Sequence, residues 1–272
     1  MRDVSLQEIF ALVPSTTTRY LDFSMAILLD TLQHMEDGCI AWTTGSRLVE
    51  DNRLIVARHS RLKGGFGSTD GLGLPVTESD DPEIENTTYN GWKSAHFVSN
   101  VFAFSPRGEI IHAILNAPGS WHDSHVARPL FEKLRTSTPD GYYLIADSAF
   151  PRGTAAIQGK IQAPLKSGSH ITDDVIEQVE ILQFNRELLS YRQTAEWGMR
   201  MMQGSFARLC LPLDINDPDG RQRLLEIRNV YMPIWRETED DEMWDSLGNM
   251  VFWEICHCDH VSRYHLTIAR EE

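Results

Sequence analysis

The stretch Asp140-Gly-Tyr-Tyr-Leu-Ile-Ala-Asp-Ser-Ala-Phe-Pro151 constrains the fold of this chain more than any other. Tyr142 to Ala146 is short, apolar and rich in aromatic and branched side chains, which predicts a buried strand. Asp140-Gly141 supplies an entry turn and Pro151 a terminator. Asp147 then stands at the carboxyl end of the strand. Open mixed sheets collect catalytic and ligand groups there, because a rigid strand aims the side chain while the loop beyond leaves room for substrate. The same position suits an Asp that merely caps the following turn or helix, so the partners of Asp147 decide its role.

A chain of 272 residues with 42% apolar content suits one large domain, or a domain with an appendage, around a sizeable core. No apolar run approaches the ~18 residues that span a bilayer, and Asp3, Gln7 and Glu8 do not suit a signal peptide. Cys39, Cys210, Cys256 and Cys258 do not form a disulfide framework at this length, which points to a reducing compartment, cytosol or nucleus. The net charge of −14, from 25 Lys plus Arg against 39 Asp plus Glu, argues against broad adhesion to nucleic acid. DNA binding would need cations recruited by a carboxylate site, or a separate basic partner.

Residues 5 to 35 read as two helices broken at Pro14-Ser15, an order shared by a helix-turn-helix and by an ordinary helical hairpin. Residues 36 to 62 are mixed, and Arg47, Arg53, Arg58, Arg61 and Lys63 make a locally basic stretch. Phe66 to Leu74 predicts a strand carrying Asp70, its glycines admitting close neighbours rather than forming a phosphate loop. Thr77 to Asn90 reads as an acidic, solvated loop. His96 to Ser105 and Glu109 to Asn116 predict a hairpin turning at Pro106-Arg-Gly108, and Asp123 to Arg135 a single amphipathic helix capped by Asp123 or Ser124. A long helix is expected from the capping Thr172, with Asp173 and Asp174 in its first turn, to about Leu209, with Gly198 and Gly204 as sites of bending. The tail carries loops at Asp214 to Gly220 and Glu237 to Asn249, a helix at Arg221 to Val230 and an apolar element at Met250 to Cys256.

Three strands, a helix, a strand and a late helix outline a ribonuclease H-like α/β fold, a mixed sheet flanked by helices. Asp70 falls on its first strand, Asp147 ends its fourth and Glu196 lies on the late helix. Three carboxylates held together repel one another unless divalent cations neutralise them. Asn185, Leu189, Arg192 and Glu196 share one helical face, which lets Arg192 orient Glu196 or meet phosphate. A surface Arg192–Glu196 pair alone would contribute only ~0.2–0.5 kcal/mol.

Several short motifs follow one another in order: Asp70-Gly71; Tyr89 to Ser99 with Lys93; Pro118-Gly-Ser-Trp-His-Asp-Ser124; Ala146-Asp-Ser-Ala-Phe-Pro151; and Asn185, Leu189-Ser190, Arg192, Glu196 and Gly198. In these the chain resembles the DDE endonuclease domain of PIF/Harbinger-type transposases and their host-adopted relatives. The separation of 49 residues between Asp147 and Glu196 fits that family. The resemblance implies Asp70, Asp147 and Glu196 as a catalytic, metal-binding triad for two Mg²⁺ or Mn²⁺ ions, supported by Arg192, His122, Asp123, Lys93 and Asn185. It implies DNA cleavage or strand transfer, a nuclear setting and a Myb-like DNA-binding partner. It also divides the chain into a helical region at 1–62, a helix-turn-helix that the chain enters partway, and a DDE endonuclease domain at 63–272. Leu72, Ala149-Phe150 and Ala195-Glu196-Trp197 depart from the usual pattern, and the tail beyond Leu213 matches poorly. The competing expectation is a catalytically silent scaffold descended from a transposase.

Two further clusters carry metal-ligand residue types. His122, Asp123 and His125 read better as a helix cap (Asp123) and a histidine packed near the active site (His122). Cys256, Cys258 and His260 offer three zinc ligands where a structural site needs four, so buried thiols on an end strand are the simpler expectation.

Overall fold

The expected strand forms as β5 (Tyr143–Ala146), all four residues buried, and Asp147 follows directly. The structure, a computed structural model, describes residues 3–35, 40–150, 157–166, 171–172, 174–205 and 207–234. The chain divides into two compact units, Met1–Pro233 and Ile234–Glu272, and the account below concerns the first. The terminator Pro151, Asp173, the loop and apolar element expected in the tail, and the Cys256, Cys258 and His260 cluster lie outside the described residues.

The glycine-rich stretch forms β1 (Gly65–Pro75). It pairs antiparallel with β3 (Ala95–Phe104) and parallel with β5. A short β2 (Tyr89–Asn90) and a longer β4 (Ile110–Pro118) both pair antiparallel with β3, and β6 (Ile161–Gln162) pairs parallel with β5. The sheet has six strands in the order β2-β3-β1-β5-β6, with β4 also on β3. Together with the helices below, this is a ribonuclease H-like arrangement with β1 at its centre.

The period-two alternation of strands explains how both faces are covered. Leu144 and Ala146 pack with Phe66, Val101, Leu130 and Leu134, whereas Tyr143 and Ile145 pack with Ile55, Leu188 and Tyr191. Val101 and Ala103 likewise face the first layer, and Phe102 and Phe104 the second, against Ala195, Met199 and Met202. Leu130 and Leu134 come from α6 (Arg128–Ser137). Leu188, Tyr191, Ala195, Met199 and Met202 form the apolar stripe of α7 (Val175–Ser205). Each fully buried Leu or Phe contributes about 1.5–3 kcal/mol, so β1 and β5 are clamped from both sides.

The helical pair at the start is present as α1 (Asp3–Phe10) and α2 (Pro14–His34). The locally basic stretch contains a helix, α3 (Gly45–Arg58). The acidic segment does not stay a loop. Asp81 accepts from the Glu83 N–H at 2.9 Å with Pro82 in the first turn, starting α4 (Pro82–Thr88). The single helix expected over 123–135 is split into α5 (Asp123–Val126) and α6, because Pro129 removes a donor and starts a new helix at Arg128. Asp174, not Thr172, caps α7, its carboxylate accepting from Ile176 N–H at 2.8 Å. The long helix stops at Ser205, followed by a 3₁₀ turn (Ala207–Cys210), and α8 (Pro218–Ile234) begins earlier than expected. Gly198 lies within an unbroken α7, where a Cβ would stand 2.7 Å from the Phe104 ring, so its role there is close packing.

Candidate active site

Strand register brings the first two acids together. Thr69 is paired with Ala146 across the parallel β1/β5 ladder. The next residues, Asp70 and Asp147, therefore leave neighbouring strands side by side and on one face. The third acid arrives on α7, held against β1 by the hydrogen bond between the Ser68 and Thr194 hydroxyls at 2.9 Å. That contact lies two residues before Asp70 on the strand and two before Glu196 on the helix, and Gly198 lets the helix sit close enough to make it.

All three carboxylates meet one guanidinium. Arg192 Nη2 is 2.7 Å from Glu196 Oε1, and Nη1 is 3.8 Å from Asp70 Oδ2 and 3.7 Å from Asp147 Oδ1. Asp70 is the most enclosed of the acids, and its carboxyl is pushed up to about 6. Burial is the main cause; the Gly71 N–H donated to Oδ1 at 2.8 Å pulls it down, Asp147 raises it, Arg192 lowers it and Asp123 raises it.

Asp123 is the residue whose place differs most from expectation. His122 takes the capping position, its Nδ1 accepting from Ser124 N–H at 3.2 Å. Asp123 is thereby free to face the strand, where a Cβ on Gly71 would meet its Oδ1 at 2.9 Å. A fourth carboxylate thus borders Asp70. The signal that could have found it is His122 itself, an N-cap acceptor one residue earlier. His125 stacks on Trp121, ring centroids 4.2 Å apart, and does not join a His/carboxylate cluster. Asn185 is also elsewhere: its Oδ1 accepts from Leu165 N–H at 2.7 Å and pins that loop to α7. Lys93 lies over the Phe97 ring, Nζ 4.8 Å from its centroid, in a cavity that reaches Gly71 and Asp123.

The donor set consists of hard carboxylate oxygens with one cation among them, the chemistry that suits Mg²⁺ or Mn²⁺. Among the described residues no three His, Cys, Asp or Glu side chains are gathered closely enough to hold an ion as they stand, the guanidinium lying between the carboxylates. Also among the described residues, no helix is long and apolar enough to cross a membrane.

Searches of curated proteins and of solved structures returned no significant match. A family model described as DDE superfamily endonuclease matches residues 69–229, from the strand that carries Asp70 through Asp147 and α7 into α8. That span covers more than half of the chain and both faces of the sheet, and with it the chain belongs to the DDE superfamily endonucleases.

Proposed function

We propose that this chain is a divalent-metal-dependent DNA endonuclease or strand-transferase of the PIF/Harbinger type, with Asp70, Asp147 and Glu196 holding Mg²⁺ or Mn²⁺. The observation that carries the reading is the convergence of these three side chains, from two neighbouring strands and a helix, on Arg192. A bound pair of ions would activate water or a 3′-hydroxyl and stabilise the leaving oxygen. Asp70, Asp147 and Glu196 would hold these ions, Asp147 being the most open of the three. Arg192 pairs with all three carboxylates and would be available to phosphate where cations neutralise them. A Myb-like partner that carries the protein to DNA in the nucleus would reconcile this chemistry with the net charge of −14.

The second reading, a host-adopted scaffold without activity, is favoured by the guanidinium standing among the acids. Metal binding separates the two. In calorimetric titration the full chain is expected to take up Mn²⁺ and, with Mn²⁺, to nick supercoiled DNA, and Asp147→Asn is expected to do neither above background. Equal cutting by Asp147→Asn and the parent sinks the triad assignment. No Mn²⁺ uptake by the parent leaves the scaffold.

A further inference from the structure

Beside the carboxylates lies a cavity of about 440 Å³ that the proposed chemistry does not use. Its size falls within the ~300–1,000 Å³ of small-ligand pockets. Gly71 and Gly73 of β1 line it; the Asp123 carboxylate lies against Gly71, at the end nearest Asp70, and Lys93 and the Phe97 ring lie against Gly73. Trp92 and Trp121 also line it. Trp92 is 97% exposed at the tip of a turn that is already formed: Asn90 Oδ1 accepts from both the Trp92 and the Lys93 N–H, and Asn90 Nδ2 donates to Gly119 O at 2.9 Å. An indole held out in water by an ordered turn leaves a large apolar face without burial, and Trp121, 42% exposed, is stiffened by its stack on His125. Lys93 Nζ would stand 3.0 Å from a Cβ on Gly73, so the one ammonium lining the cavity is directed at its glycine wall.

We propose that this cavity receives one unpaired base of the DNA strand being processed, stacked on Trp92 or Trp121 with its flanking phosphate on Lys93. An indole face offers stacking to any base, and a single cation supplies one phosphate contact. Ser99 and Ser120, which also line the cavity, suit a base edge. Intact duplex fits poorly, since it needs a basic track and the chain is strongly acidic. The cavity shares Gly71 and Asp123 with the carboxylate site, so a base held there leaves the adjoining phosphodiester next to Asp70. The inference rests on the DNA-cleaving reading above, yet its test needs no cleavage.

In EDTA, anisotropy of a labelled hairpin duplex carrying a single unpaired thymine is compared with that of the same duplex fully paired. The full chain is expected to bind the unpaired form about tenfold more tightly, the equivalent of one stacked base, and its tryptophan fluorescence to be quenched. Trp92→Ala and Lys93→Gln, both surface changes whose folding is checked by melting, are expected to lose that preference. Equal affinity for the two duplexes, or a preference that survives both substitutions, overturns the proposal. Asp147→Asn is expected to keep the preference whether or not it cuts DNA, so failure of the nuclease reading is distinguishable from failure of this one.

Discussion

A single guanidinium organises the site because, among the described residues, it alone pairs with all three acids. Glu196 is one helical turn from Arg192, whereas Asp70 and Asp147 come within 4 Å only through strand register. A second carboxylate, Asp51 on α3, is fully buried away from this cluster. Arg107 Nε is 3.7 Å from its Oδ1, Arg47 and Glu109 act on it from further off, Thr43 sits beside it and Tyr191 faces it from α7. Burial outweighs these partners and pushes the Asp51 carboxyl up to about 6 from an ordinary 3.8. Between those two values the folded protein holds more protons than the unfolded chain, so stability falls as pH rises through that window and levels off above about 6. Asp70, shifted in the same direction, adds to the slope. Asp51→Asn, which mimics the protonated acid, is expected to flatten the curve by Asp51's own share. At pH 7 it should gain at most roughly 3 kcal/mol, one pKa unit being about 1.4 kcal/mol. Urea unfolding across pH 4 to 7 measures it, and a variant as steep as the parent rules out this account of Asp51.

At the scale of elements, α7 must lie close to β1 and β3 for Glu196 to reach the strand acids, and Gly198 sets that distance. A Cβ there would stand 2.7–2.9 Å from three atoms of the Phe104 ring, which is itself fully buried. Gly198→Ala is expected to destabilise by about 1–3 kcal/mol from overpacking, offset by roughly 1 kcal/mol of helix propensity. It should also weaken Mn²⁺ binding by displacing Glu196. Unfolding and titration of the same variant test both, and a net gain in stability would show that Phe104 yields freely. The strands around this helix were legible in the sequence because their alternation and turn residues are local signals: Asp140-Gly141 before β5, Pro106-Arg-Gly108 between β3 and β4. Helix α4 was hidden because Thr77 to Asn90 has the composition of a solvated loop, although Asp81-Pro82-Glu83 is a helix start. Arg192 beside Glu196 could be read from helical spacing. Its reach to Asp70 and Asp147 could not, since that depends on the Thr69 to Ala146 pairing and the Ser68 to Thr194 bond, both contacts between distant segments. Asp123 was misplaced for a related reason: which of two adjacent residues caps a helix is decided by the direction of the incoming chain.

At the scale of the molecule, the acidic balance is reinforced because several of the cations that could meet phosphate are engaged internally. Arg47 pairs with Glu109, Arg107 with Glu50 and Asp51, and Lys160 with Asp140. Arg61 bonds to Gln183 through its side chain and to Glu187 through its N–H. Each phosphate neutralised by a protein cation adds about 0.9 to the slope of log K against log salt. With these cations engaged and a net charge of −14, duplex binding is expected to be weak with a shallow slope, no steeper than about −3, or roughly three phosphates. Such a protein would depend on divalent ions or a basic companion to hold DNA. Adding Ca²⁺ should accordingly tighten binding in the parent and not in an Asp70→Asn, Asp147→Asn double variant, while leaving the slope shallow. A DNA-binding partner carrying its own lysines and arginines should steepen it. Anisotropy titrations of paired duplex over a range of KCl concentrations, with EDTA and then with Ca²⁺, measure both quantities. A steep slope in EDTA would show a basic DNA-binding face and remove the need for either ions or companion.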